Sequence, residues 1–252
     1  MRNFMLALTT VLAMLGGATA SAAELHVLAG GAVQEAVTEL VKIFERDSGH
    51  KIVATFGPMG TLQEKIAGGA RADLLVMTGS ALDEVERKGT LLGARKELGR
   101  VGIGVAVREG APKPDISTPD KLRAALLAAK SITYADPARG ATSGIHFAGV
   151  LEKLGIKDAV ASKTKLQVGG FVVELVAKGE VEMGIQQMSE IVPVKGVTLV
   201  GPLPGDLQRV TPYLAVVPKN AVAGDAAAQL LAFITSDKAK PALAHGGLEA
   251  PK

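Results

Sequence analysis

The chain has 252 residues, 48% hydrophobic and 21% charged, with a formal net charge of +3; that length suits one large domain or two small ones with sizeable cores. Basic residues form no run, aromatics are only 3% and Trp is absent, which excludes a basic nucleic-acid groove, base stacking on aromatic platforms and sugar stacking on Trp. With no Cys there is neither a disulfide frame nor a lipid-bearing Cys behind a leader.

Residues 1–23 read as a Sec-type export signal. Arg2 is the positive start, 4–15 is the apolar stretch, and Ala18-Thr19-Ala20 and Ala20-Ser21-Ala22 fit the small-residue cleavage rule. Cleavage after Ala20, Ala22 or Ala23 fits equally well. The apolar stretch is too short for an anchor, and no later segment is long and apolar enough to span a bilayer. A periplasmic protein without stable membrane insertion is expected.

Leu25, His26, Val27, Leu28 and Ala29 form a short strand. Gly30, Gly31 and Ala32 turn the chain, and Val33, Ala36, Val37, Leu40, Val41 and Phe44 then recur at helical spacing. A glycine turn feeding a helix leaves free backbone N–H groups at its positive end, which favours an anion; a plain bend is the alternative. The pattern recurs. A strand over 51–56 leads into Gly57-Pro58-Met59-Gly60-Thr61 and a helix with Leu62, Ile66 and Ala67. Met59, Gly60 and Thr61 could present donors to a ligand, or Thr61 could only cap the helix, with Glu64 as its capping-box partner. A buried strand over 73–77 precedes a helix that Ser80 can cap near Leu82. The segment 91–98 has no clear pattern.

Val101, Ile103, Val105 and Val107 alternate with Gly102, Gly104 and Ala106, so one face of this strand invites close packing. Ser117 or Thr118 caps a helix with Pro119 in its first turn. After a strand over 131–135 comes the loop 136–144, and then a helix with Ile145, Ala148, Leu151 and Leu154. Here Ala141, Thr142 and Ser143 offer N–H and hydroxyl donors. Arg139 offers a fork for a carboxylate, or a partner for Asp136. A strand over 165–168 ends in Gly169-Gly170, followed by a helix over 171–177. A strand over 181–186 runs into Gln187-Met188-Ser189-Glu190. Strands over 197–200 and 214–217 and a helix over 226–234 complete the chain. The four His residues lack metal spacing, and no nucleophile elbow or phosphate loop occurs, so no metal or cofactor is expected.

Alternating strands and helices imply an α/β fold with mainly parallel sheets and ligand loops at strand C-termini. The chain resembles the periplasmic molybdate-binding proteins, a branch of the type II solute-binding proteins. The resemblance rests on Leu25-His26-Val27-Leu28-Ala29-Gly30-Gly31, Gly69-Ala70-Arg71-Ala72-Asp73-Leu74-Leu75-Val76 and Gly179-Glu180-Val181-Glu182-Met183-Gly184-Ile185. It implies two α/β lobes with a small anion in the cleft between them, two crossing strands (around 101–107 and 214–217) and an ABC permease as partner. Lobe 1 would comprise 24–101 and 218–252, lobe 2 residues 102–217. The implied ligand loops are Gly30, Gly31 and Ala32; Met59, Gly60 and Thr61; Arg139, Ala141, Thr142 and Ser143; Gly169 and Gly170; and Gln187. The family usually has Ser in the first loop, a Ser cluster in the second and Tyr in the fourth. Their replacement here by Gly30-Gly31-Ala32, Gly57-Pro58-Met59-Gly60-Thr61 and Gln187 points away from molybdate and towards an organic carboxylate.

Gly57-Pro58-Met59-Gly60, Leu126-Leu127-Ala128-Ala129-Lys130-Ser131-Ile132 and Gly184-Ile185-Gln186-Gln187-Met188-Ser189-Glu190 are similar to a branch of this fold that contains bacterial aconitate isomerase. That branch implies an alternative function, an allylic proton shift interconverting cis- and trans-aconitate. Such a shift needs a base, for which His146 and Glu190 are the candidates.

Overall fold

Ten strands make two separate five-stranded sheets in the computed structural model, which describes residues 22–251. They are β1 (Glu24–Gly30), β2 (Lys51–Gly57), β3 (Leu74–Thr78), β4 (Lys96–Val101), β5 (Ile103–Arg108), β6 (Ile132–Ala135), β7 (Thr164–Gln167), β8 (Met183–Gln187), β9 (Val197–Pro202) and β10 (Thr211–Val216). The first sheet has the order β2-β1-β3-β10-β4 and the second β7-β6-β8-β5-β9. In each, four strands run in one direction and one runs against them. β10 is antiparallel to β3 and β4, and β5 is antiparallel to β8 and β9. The export signal assigned to 1–23 lies, apart from its last two residues, outside the described residues. Among the described residues, no helix is long and apolar enough to cross a membrane.

Local chemistry accounts for these elements. β3 is buried at all five positions, so it reads as a continuous apolar run rather than an alternation, as a central parallel strand should. The helix Gln34–Ser48 turns Ala36, Val37, Leu40, Val41 and Phe44 inward, and Gly49, at φ 75°, ends it in the left-handed conformation that glycine adopts without strain. The first core joins these residues to Leu25, Val27, Leu74 and, from the helix Gly224–Ile234, Leu230 and Ile234; a further helix, Lys240–His245, follows the one expected to be last. A second core gathers Ile103, Val105, Phe147, Leu151 and Ile185. Truncating a fully buried Leu such as Leu40 in a core of this kind costs about 2–5 kcal/mol.

The chain passes between the sheets twice. Gly102 separates β4 from β5, and residues 203–210 connect β9 to β10. The Gln208 amide joins the two passages: its Nε2 donates to the Ile103 carbonyl (2.9 Å) and its Oε1 accepts from the Ile103 N–H (3.0 Å). The small-residue face of β5 is closely packed. A Cβ on Gly104 would stand 2.8 Å from both Leu199 and Met188.

Several expectations need correction. The second passage precedes 214–217, and β10, grouped with 102–217 from sequence, lies in the first sheet between β3 and β4. A strand was missed over Lys96–Val101, where the charges at Lys96, Glu97 and Arg100 mask its alternation. The helix expected over 171–177 is only Glu174–Ala177. Thr61 lies inside the helix Met59–Ala67, whose N-cap is Pro58. Thr78, not Ser80, caps the helix Gly79–Arg87 by accepting from the Ala81 N–H. In the helix Thr142–Lys153 the buried face is Phe147, Val150 and Leu151, while Ile145 is exposed. Thr118 caps the helix Pro119–Ala128 as expected.

Candidate functional site

Between the sheets lies a cavity of about 70 Å³, walled by loops from both. One buried water needs about 10–15 Å³ by such a measure, so the space suits a small molecule. The first sheet contributes Gly31, Ala32 and Gln34 after β1, Phe56 to Met59 at the end of β2 and just beyond it, and Tyr213 from β10. The second contributes Ala135 at the end of β6, Ala141, Thr142 and Ser143 after it, Gly169 to Phe171 after β7, and Gln186, Gln187 and Glu190 around the end of β8. Every ligand loop expected from the sequence therefore reaches the cavity. Within those loops, Gly30, Gly60, Thr61 and Arg139 are not in its lining.

Each exception has a structural reason. A Cβ on Gly30 would stand 2.4 Å from Met59 Cε and 2.9 Å from the Tyr213 ring, so this glycine makes room for both side chains. Gly60 sits at a contact between the two halves: a Cβ there would be 2.7 Å from the Arg139 carbonyl oxygen and 3.2 Å from Gly140 Cα. Arg139 is exposed, and its backbone, not its guanidinium, meets the opposite wall. The expected carboxylate fork is therefore not in the cavity, and Asp136 instead accepts from the Ala138 N–H. His146 is also outside the lining, with Nε2 2.8 Å from the Leu207 carbonyl.

Three helices begin at the wall. Met59–Ala67, Thr142–Lys153 and the short Met188–Ile191 start from Pro58, Ala141 and Gln187, and none of these caps its helix with a side chain. The first-turn N–H groups of the first two are left for other acceptors, whereas the Met188 N–H already donates to the Gly102 carbonyl (2.9 Å). The lining contains no Lys, Arg or His. Favourable positive potential must come from helix ends and neutral donors.

Sequence reasoning missed Tyr213 and Gln186. Both are buried, at 2% and 1% exposure, and Gln187 Nε2 donates to the Tyr213 hydroxyl (2.9 Å). Gln186 Nε2 donates to the Gly170 carbonyl (3.1 Å), and the Oε1 atoms of Gln186 and Gln187 are buried without a partner. The one available signal for Tyr213 was rarity, since the chain has only two Tyr residues. Glu190 lies at the centre of the arrangement. Its Oε1 would stand 2.7 Å from a Cβ on Gly31, so the absence of a side chain there leaves room for this carboxyl. Burial pushes the Glu190 carboxyl up to about 8, with the Gln187 backbone and the Gln186 amide acting in the opposite direction. Burial first, and Glu190 second, push the Tyr213 phenol well above its usual value.

A family model described as bacterial extracellular solute-binding protein matches residues 25–249. The chain belongs to that family. Among curated proteins, it is 32% identical over 232 residues to an aconitate isomerase of a Pseudomonas species, covering 89% of this chain and 87% of that one. It is 28% identical over 229 residues to the molybdate-binding protein of Azotobacter vinelandii, covering 87% of each. The fold matches the solved structure of the Azotobacter vinelandii periplasmic molybdate-binding protein with a TM-score of 0.76 at 18% identity, over 90% of this chain and all of that one.

Proposed function

We propose that this solute-binding protein captures a small organic carboxylate between its two halves, in the periplasm, for delivery to an ABC-type permease. The observation that carries the reading is the cation-free cavity onto which uncapped helix starts converge. Helix ends contribute about 0.3–1 kcal/mol each when exposed and up to ~2 kcal/mol when partly buried. Hydrogen bonds to a charged group contribute about 1.5–3 kcal/mol each. A micromolar dissociation constant needs about 8 kcal/mol, so several loops must act together. The first loop offers the ligand no hydroxyl, which disfavours a bare tetrahedral oxyanion requiring donors on every side.

A thermal-shift panel of molybdate, tungstate, sulfate, citrate and aconitate tests the reading, because a ligand that binds only the folded protein raises its melting temperature. The largest shift is expected with a carboxylate; the largest shift with molybdate would sink it. Thr142→Ala with Ser143→Ala removes two hydroxyls at the start of one helix. The double variant should weaken binding of the best carboxylate by roughly one to three orders of magnitude in titration calorimetry. Neither hydroxyl caps the helix, so the fold should hold; wild-type affinity would remove this loop from the site.

Glu190 favours a second reading, an aconitate isomerase like the Pseudomonas relative. A carboxyl held near 8 beside a ligand is suited to removing a proton and returning it at neutral pH. In an allylic shift, the Glu190 carboxylate would take a proton from a substrate methylene and the resulting acid would return it to the far carbon of the allylic unit. Purified protein mixed with cis-aconitate and followed by chromatography decides between the readings: trans-aconitate formed by the wild type and not by Glu190→Gln establishes the isomerase.

A further inference from the structure

Glu190 presents a problem that binding alone does not resolve. An anion enters a cavity whose lining already holds a carboxyl group and no cation. Two carboxylates side by side in a site sheltered from water repel strongly, and helix dipoles do not cancel a full charge. The site works if the two carboxyls share one proton, as paired acids do in a confined space.

We propose that Glu190 meets the captured carboxylate as a neutral acid, donating its proton in a hydrogen bond, so that ligand binding and protonation of Glu190 are one linked event. The inference rests on the carboxylate reading above and adds its regulation by pH. No bond to carbon is made or broken: the proton stays within the Glu190–ligand hydrogen bond, and it comes from solvent whenever free Glu190 is ionised.

The surroundings of Glu190 support this. The group is 8% exposed, borders the cavity, and reaches across to Gly31 on the opposite half. From β8 it faces Gln186 and Gln187, and from β10 the Tyr213 hydroxyl, which stays protonated through the range concerned. The helix Gln34–Ser48 packs against the helix Met188–Ile191 that carries Glu190; the charged residues along it are Glu35, Glu39, Lys42, Glu45, Arg46 and Asp47, of which Lys42, Arg46 and Asp47 are exposed. β5 contributes Arg108 at its far, exposed end, and β9 carries no charged residue. None of these charges contributes to the displacement of Glu190, which comes from burial. An amide or alcohol at this place would also donate to a carboxylate. An acid differs in one respect: it withdraws the donor as pH rises.

The test is titration calorimetry with citrate and trans-aconitate from pH 6.5 to 10, on wild type and Glu190→Gln. The upper limit of ligand ionisation is passed well below pH 8, so the remaining dependence belongs to the protein. Wild-type affinity is expected to be level up to about pH 8 and then to fall about tenfold per pH unit. Glu190→Gln, which keeps a neutral donor, should bind with no such fall. Repeating the wild-type titration at pH 9 in buffers of different ionisation heat should show close to one proton taken up per ligand, and this arm stands even if the variant does not fold. A level wild-type profile, zero proton uptake, or the same slope in Glu190→Gln overturns the inference while leaving carboxylate capture intact. Binding of neither carboxylate at any pH overturns the proposed function, and the inference with it.

Discussion

Gly60→Ala is expected to weaken ligand binding by about 10- to 100-fold while leaving the isolated fold as stable as before, or slightly more so. The added methyl would stand 2.7 Å from the Arg139 carbonyl oxygen, 3.1 Å from its carbon and 3.2 Å from Gly140 Cα. These are backbone atoms, which do not swing aside as a side-chain tip does. All three belong to the opposite half, so the clash exists only when the halves approach as they do here. Overpacking of this kind costs about 1–3 kcal/mol, and each 1.4 kcal/mol is a factor of ten in affinity. With the halves apart, residue 60 is an ordinary position in the helix Met59–Ala67, where Ala is favoured over Gly by about 0.5–1 kcal/mol. A strain felt in only one of two arrangements shifts the equilibrium between them by that amount. The readouts are titration calorimetry for affinity and thermal unfolding for stability. Wild-type affinity in Gly60→Ala would mean that the ligand is held without this contact.

Other contacts span the same gap. Ser189 Oγ donates to the Ala32 carbonyl (2.6 Å), Gln187 reaches Tyr213, and Gly247 lies where a Cβ would be 3.0 Å from Ser189 Cα. They explain why the residues after β8 were hard to interpret from sequence. Gln187 and Glu190 were recognisable as polar groups behind a strand. Their partners across the gap, Tyr213 and Gly31, are set by the packing of one half on the other, and no local period encodes that. Period and turn chemistry did encode the strand–loop–helix units, because each is decided within about fifteen residues: Leu40 and Phe44 face the core whatever lies beyond it. Arg139 shows the limit of loop reading. It occupies a ligand loop of the right composition, yet the tight turn Pro137–Arg139 and Gly140, at φ 71°, carry its side chain to the surface and bring Thr142 and Ser143 to the cavity instead. The placement of β10 escaped for a related reason. Sequence order groups it with its predecessor β9, while its hydrogen bonds go to β3 and β4 on the other side of the molecule.

Asp73→Ala should cost the fold about 3–5 kcal/mol, the largest loss expected from a single change outside the cavity. Asp73 is fully buried immediately before β3, and its carboxylate holds three parts of the first half together. One oxygen accepts from the His26 N–H of β1 (2.9 Å) and from Arg71 Nε (3.0 Å). The other accepts from the Ala223 N–H (2.8 Å), just before the helix Gly224–Ile234. Removing the carboxylate strands two backbone donors at once and takes one partner from the Arg71 guanidinium, which keeps the Glu24 carbonyl. Each unsatisfied buried donor costs about 1–3 kcal/mol, so the two backbone N–H groups account for most of the loss, and the partly exposed Arg71 for less. Burial raises the Asp73 pKa, but the Ala223 and His26 N–H groups and Arg71 outweigh it, so the carboxyl titrates below its ordinary value of 3.8. Between the lowered folded value and 3.8, the unfolded chain therefore binds more protons than the folded one. The stabilisation is full above about pH 4 and is lost as pH falls through the folded value. Urea unfolding at pH 7 and at pH 3 measures both effects. Asp73→Asn, which keeps the shape but not the charge, should be destabilised at pH 7 and should come closer to wild type at pH 3. A gap between Asp73→Asn and wild type that stays constant with pH would show that the carboxylate's charge does not matter here. A loss under 1 kcal/mol in Asp73→Ala would show that Arg71 and the two N–H groups find other acceptors, and that the helix Gly224–Ile234 is held to the first sheet by its apolar face alone.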